Sequence, residues 1–239
     1  AKGELILMAD GTSKPVELIN CGDRVMGGDG TPRTVLTPRW GEDAMYELNI
    51  RNRGTLKVNG EHKLILFNPN WSGNHERVMT VNEYLKLQPY AQSRSRICLC
   101  TGIESFERTT EQIIDPYLMG IFIGDGATKS GQGGCPNITT ADSEVVEAIY
   151  EYANKIGCTI RVDHKPGNAA SSYFFTYDKD NYAVCNRKII NNFAEQIRSI
   201  GLDKIGGGEK FVPDDYKYAD ISVRRELFAG LMDSDGYLN

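Results

Sequence analysis

The sequence predicts two units of different class, an all-β unit over residues 1–111 followed by an α+β unit over residues 112–239. Three observations predict this. The first hundred residues break into short apolar runs separated by dense turn signals, which is the pattern of a compact β unit. The later residues alternate helical stripes with strand-like runs. An apolar stretch in the second region also occurs twice, at a fixed offset: Leu118-Met119-Gly120-Ile121-Phe122-Ile123-Gly124-Asp125-Gly126 and Phe228-Ala229-Gly230-Leu231-Met232-Asp233-Ser234-Asp235-Gly236. Glycines and acids match at an offset of 110 (230 minus 120; 235 minus 125), which marks an internal repeat.

In the first unit, Glu4 to Met8 reads as a strand closed by the Asp10-Gly11 turn, and Val16 to Ile19 as a second short run. Arg24-Val25-Met26 leads into Gly27-Gly28-Asp29-Gly30, the densest turn of the chain. Met45 to Ile50 alternates apolar and polar residues, as a half-buried strand does. Leu56-Lys57-Val58 and Lys63 to Phe67 flank the polar Asn59-Gly60-Glu61-His62, Val81 to Leu87 reads as a short helix, and Arg96 to Cys100 returns to a strand. Glu104 to Glu111 is a polar linker.

In the second unit, Ile113 to Pro116 enters the first copy of the repeat, with proline in the first helical turn, where its missing N–H costs nothing. Pro136 to Thr140 reads as a strand. Asp142 or Ser143 caps a helix whose apolar face is Val145, Val146, Ile149, Tyr150 and Ala153. Thr159 to Val162 and Ser172 to Tyr177 read as strands around the turn-rich Lys165 to Asn168. Ile189, Ile190, Phe193, Ile197 and Ile200 form another helical stripe, closed by Gly201.

Composition bounds the function. The 239 residues are 40% hydrophobic and 25% charged, as in an ordinary globular protein. No apolar run approaches the roughly 20 residues needed to span a membrane. Six scattered cysteines include no Cys-x-x-Cys pair, so a zinc site is not expected and the thiols read as those of an intracellular protein, nuclear or cytoplasmic. A net charge of −5 weighs against binding nucleic acid through bulk charge, although a cation held at acidic residues reverses the local field.

The repeat carries the strongest chemical signal. Each copy reads as a helix ending in an acid, with Gly126 and Gly236 expected in the left-handed position just past the helix. Gly120 and Gly124, like Gly230 and Ser234, lie four apart on one face and let two backbones approach closely. A carboxylate at a helix C-terminus faces partial negative charge and is unfavourable there by up to about 1 kcal/mol. Two such acids side by side imply a cation between them, as in metal-assisted phosphodiester hydrolysis.

The residues from Phe228 to Gly236 resemble the LAGLIDADG motif of homing endonucleases, and Leu118 to Gly126 is a looser copy. The resemblance implies an αββαββα half-domain and the start of a second repeat. It implies that Asp125 and Asp235 bind a divalent cation, Mg²⁺, and that double-stranded DNA is the substrate. It also implies a monomer, with the sheet across the major groove. Arg161, Lys165, Arg187 and Lys188 are then the candidates for contacts to DNA. The family's lysine before an apolar-Pro pair falls at Lys210, where it would orient the attacking water or neutralise developing charge.

Ala1-Lys2-Gly3, Met8 to Gly11, Gly22 to Gly27, Asp29 to Arg33 and Met45-Tyr46 look like the N-terminal splicing half of an intein, a Hint-type domain. That resemblance implies that His62 protonates a scissile amide and that Asn59 holds its carbonyl. It implies flanking exteins as partners. It also implies a chain truncated at both ends, with its nucleophile two residues before Ala1 and with Asn239 as a truncation point rather than the cyclising asparagine. The alternative expectation is an inactive intein fragment that binds DNA without cleaving or splicing.

Overall fold

A computed structural model describes residues 1–51, 54–98, 102–128, 135–164, 166–177, 184–185, 188–189 and 191–236. The chain divides into two compact units, Ala1–Glu107 and Arg108–Asn239.

The first unit is a set of small antiparallel hairpins. Strands β1 (Leu5–Leu7) and β2 (Ser13–Pro15) pair around Asp10-Gly11, whose turn is held by Thr12 donating to the Asp10 carboxylate. Val16–Leu18 is a turn of 3₁₀ helix rather than the expected second strand, because pairing with β1 ends at Pro15. β3 (Arg24–Met26) and β4 (Pro32–Thr34) enclose the glycine-rich turn, in which Gly30 has φ +77°. β5 (Met45–Ile50) pairs with β6 (Gly54–Asn59). β7 (Lys63–Phe67) is the centre of a three-stranded sheet with β8 (Glu76–Thr80) and β9 (Arg96–Ile97).

Two short helices, α1 (Val81–Leu85) and α2 (Pro89–Arg94), follow β8. Thr80 and Glu83 form a reciprocal capping box that starts α1. Val58, Leu64, Leu66 and Val81 make a small apolar cluster. The unit closes on itself: Arg24 pairs with the Glu107 carboxylate, and the Glu107 N–H donates to the Ala9 carbonyl at 2.8 Å.

The second unit has one larger core. Helix α3 (Pro116–Asp125) is capped by Asp115 and followed by β10 (Gly126–Ala127) and β11 (Asn137–Thr140). Helix α4 (Ser143–Lys155) takes its cap from Asp142, whose carboxylate accepts from the N–H groups of Glu144 and Val145. β12 (Cys158–His164), β13 (Ser171–Tyr177), β14 (Val184–Cys185), β15 (Lys188–Ile189) and α5 (Asn192–Ser199) follow. The main sheet runs β10-β11-β13-β12, all antiparallel. Apart from the small separate hairpin β14-β15 before α5, the order α3-β10-β11-α4-β12-β13-α5, with its very short β10, follows the pattern αββαββα. Two further helices, α6 (Asp214–Lys217) and α7 (Ile221–Asp235), complete the unit.

Two helical stripes differ from expectation. On α4 the buried residues are Val145, Ile149, Tyr152 and Ala153, while Tyr150 is exposed and touches Tyr173 edge-on. Tyr152 goes inward because its hydroxyl finds the Ile113 carbonyl and Gln196. Ile189 belongs to β15, and Ile190 lies outside the described residues. Helix α5 begins only at Asn192, where the Asn191 side chain accepts from the Ala194 N–H. Gly201 closes it at φ +78°.

The core joins α3, α4, α5 and one face of the sheet through Leu118, Phe122, Ile138, Ile149, Phe175 and Phe193. Helix α7 lies against α3, and at two glycines the contact is with the other helix's backbone. A Cβ on Gly120 would overlap the Leu227 carbonyl oxygen, and one on Gly230 would overlap the Tyr117 carbonyl oxygen. Filling such a contact strains a packed interface by about 1–3 kcal/mol. Gly230→Ala should therefore lower the urea midpoint with little change in slope. Gly208→Ala, where an added Cβ meets nothing within 4 Å, should leave it nearly unchanged.

A candidate metal and nucleic-acid site on the paired helices

The close approach of α3 and α7 brings their C-terminal ends together. Asp235 Oδ2 lies 3.2 Å from where a Cβ on Gly124 would stand, one residue from Asp125. Partial burial, then the neighbouring Asp235 charge, pushes the Asp125 carboxyl up from the ordinary carboxylate range, while Lys210 pulls it down. Two like-charged groups at the negative ends of two helices are a poor arrangement without a cation. Among the described residues no group of three or more His, Cys, Asp or Glu could hold a metal; Asp125 and Asp235 are a pair. Hard oxygen donors with open coordination suit Mg²⁺, which keeps several waters and takes substrate phosphate oxygens.

Gly126 and Gly236 are not left-handed. Both are extended, at φ −77° and −70°. Glycine is required there for a different reason: a Cβ at Gly126 would overlap Phe122, and one at Gly236 the Met232 carbonyl oxygen. The chain turns away from each helix directly over its own last turn, which leaves the acid at the tip.

Lys210 follows a 3₁₀ turn at Gly207–Glu209 and reaches back to α3. Its ammonium donates to the carbonyls of Phe122 (3.1 Å), Ile123 (2.8 Å) and Gly124 (3.0 Å). It thus satisfies carbonyls at the helix end that have few partners within the helix. Burial lowers its pKa, and the charges of Asp125 and Asp235 oppose that shift. The lysine therefore lies near both acids and is held there by backbone oxygens.

Tyr117 and Asp233 also meet across the helix pair, with the Tyr117 hydroxyl donating to Asp233 Oδ2 at 2.8 Å. The sequence does not single out this pair.

The face of the main sheet that points away from the core carries Asn137, Thr139, Thr159, Arg161, Asp163, Ser172, Phe174 and Thr176. Cross-strand hydroxyl contacts tie it, Thr139 to Ser172 at 2.8 Å and Thr159 to Thr176 at 2.9 Å. The Arg161 guanidinium stacks on Phe174 at 4.1 Å, and the residue is exposed. Lys165 and Arg187 lie outside the described residues, as does the side chain of Lys188.

In the first unit, Asn59 ends β6 and His62 follows in a tight turn, its N–H donating to the Asn59 carbonyl at 3.2 Å. His62 is exposed. Asn59 Nδ2 donates to Asp43 Oδ2 at 3.0 Å, a partner that no sequence pattern announces. The turn is braced by Asn82, which donates through its N–H to the Gly60 carbonyl and through its side chain to Glu61. The Ala1 amino group donates to the Lys57 carbonyl at 3.1 Å, on the same strand as Asn59.

Residues 1–111 match the homing-endonuclease-associated Hint family, and residues 114–198 match the LAGLIDADG-like domain family. The chain is 33% identical over 120 residues to the catalytic subunit of the V-type proton ATPase of Candida tropicalis, covering 46% of this chain and 11% of that protein. It is 28% identical over 126 residues to the homothallic switching endonuclease of Saccharomyces cerevisiae, covering 51% and 21%. It is 26% identical over 127 residues to the replicative DNA helicase DnaB of Mycobacterium intracellulare, covering 53% and 15%. The chain thus spans about a fifth or less of the length of these relatives. No helix among the described residues is long and apolar enough to cross a membrane.

The raised pKa of Asp125 gives a sign that can be checked. Its ionised form is the disfavoured one in the fold, so the stabilising preference for the proton is present in acid and lost as pH rises through the folded pKa. Asp125→Asn should raise the melting temperature at neutral pH in chelator. The gain should vanish below about pH 4, where the unfolded carboxyl is itself protonated.

Proposed function

We propose that this chain, a Hint-type intein domain followed by a LAGLIDADG domain, serves protein splicing through its first unit and site-specific cleavage of double-stranded DNA through its second. The observation that carries the nuclease reading is the pairing of Asp125 and Asp235 at the tips of two helices that touch at glycine. These acids would hold Mg²⁺, which when bound would activate water and neutralise charge on the phosphodiester. Lys210 contributes a cation at the same place. It offsets the negative end of α3 and keeps the two carboxylates from repelling unopposed.

The sheet face turned away from the core supports binding in the major groove. Its exposed residues are Thr159, Arg161 and Asp163, a hydroxyl, a guanidinium and a carboxylate, while Asn137, Ser172 and Phe174 are buried. Arg161, held flat over Phe174, has its rotamer set before any ligand arrives. Lys165, Arg187 and Lys188 remain proposed contacts to phosphate. The nuclease unit would act as a monomer, since both acids come from one chain.

For splicing, His62 and Asn59 share one turn at the end of β6, and the exposed imidazole can deliver a proton to a leaving amide nitrogen. Asp43 fixes the Asn59 carboxamide. Flanking host segments would be the substrate of this half, with the junction alongside β6. The protein would work inside the cell, in nucleus or cytoplasm.

Asp235→Ala should reduce cleavage of a randomised plasmid library to background in Mg²⁺ while the protein still shifts the selected DNA in a gel. Cleavage at the wild-type rate would sink the metal assignment. In the full precursor, His62→Ala should slow cleavage at the N-terminal junction by about 10²–10⁴-fold, the usual contribution of a positioned general acid. An unchanged rate would remove His62 from that role.

A further inference from the structure

The pairing of α3 with α7 has an approximate two-fold symmetry that can be tested position by position. Gly120 meets the Leu227 carbonyl, and Gly230 meets the Tyr117 carbonyl. These are the same contact with the helices exchanged, since 120 plus 110 is 230 and 117 plus 110 is 227. Under that exchange the Tyr117–Asp233 hydrogen bond has a counterpart position formed by Leu227 and Ile123. The counterpart is apolar on both sides: Leu227 is buried in the core cluster and Ile123 packs against it. One flank of the helix pair is therefore polar and the other apolar, each internally matched.

Neither helix makes that match with a copy of itself. Two α3 helices would set Tyr117 against Ile123 twice, and two α7 helices would set Asp233 against Leu227 twice. In each case the Tyr117–Asp233 hydrogen bond is lost, and since Asp233 is exposed the loss is that of one partly exposed hydrogen bond. A hydrogen bond of fixed length across an interface whose closest contacts are at glycine also resists sliding. The small residues at Gly120, Gly124, Gly230 and Ser234 allow close approach but do not by themselves choose one register along the axis.

The geometry points to Tyr117 and Asp233 as a positioning pair that fixes the register of α3 against α7 and so the relative placement of the Asp125 and Asp235 carboxylates. Asp233 is then a register residue rather than a metal ligand, two positions from the acid that it helps to place. This rests on the reading of Asp125 and Asp235 as metal ligands.

The test is a double-mutant cycle read on Mn²⁺ affinity, followed by electron paramagnetic resonance of the free ion, on the whole chain. Tyr117→Phe removes one hydroxyl and no charge. It should weaken Mn²⁺ binding by about threefold to tenfold, the equivalent of one partly exposed hydrogen bond. In an Asp233→Ala background the same change should have no further effect. In an Asp233→Asn background, where an acceptor remains, the effect should return. An equal loss in all three backgrounds, or none in the wild type, would overturn the proposal.

The same cycle is run in thermal unfolding without metal, where Tyr117→Phe should lower the midpoint in the wild type but not beside Asp233→Ala. If the wild type fails to bind Mn²⁺, the metal reading falls. The unfolding cycle then decides the register pair alone: coupling between the two positions supports it, and strict additivity overturns it.

Discussion

The second unit depends on one steric constraint, that α3 and α7 touch through backbone at two glycines. Most helix pairs are separated by interlocking side chains at roughly 8–10 Å. Here the glycines at 120 and 230 each face a carbonyl of the other helix, with no room for a methyl group. Asp125 and Asp235 become neighbours only because the helices are this close. The arrangement is electrostatically poor, with two carboxylates at two negative helix ends, and the fold offsets it with a lysine bound to three carbonyls of α3. A site that is unfavourable when empty of cations is well suited to take one up.

The first unit works on a different physical footing. Its apolar cluster is small, and much of its order comes from hydrogen-bonded turns, a capping box and ion pairs at the surface. His62 and Asn59 are placed by such a turn and by Asp43 rather than by burial. The two halves thus position these residues by opposite means, one by close packing and one by local polar bonding.

These differences explain how much could be read from the residues. The repeat at an offset of 110 makes Asp125, Asp235 and the close contact at glycine legible, because steric need leaves a residue-type signature. Strands with clean alternation, such as Met45–Ile50, are legible to the residue. The conformation of Gly126 and Gly236 is not: glycine after a helix signals either a left-handed turn or a lack of space, and only the Phe122 and Met232 contacts distinguish them. Tyr150 and Tyr152 are the same residue type on one helix, and the choice between them rests on a hydrogen bond to a residue 39 positions away. Asp43 and the Tyr117–Asp233 bond are invisible for the same reason, since long-range polar partners leave no periodicity behind.

The reciprocal glycine contact also bears on how such a protein can diverge. An element that packs against its own duplicate is tied to it by shape, so neither copy drifts alone. Bulk gained at 120 or at 230 meets a backbone carbonyl of the other helix, which no substitution at 227 or 117 removes. Positions off this seam, such as 123 and 233, were free to part ways in a matched fashion, one flank turning oily and the other wet. The likeness of the two helices is then less an inherited residue of duplication than a condition that the geometry keeps enforcing.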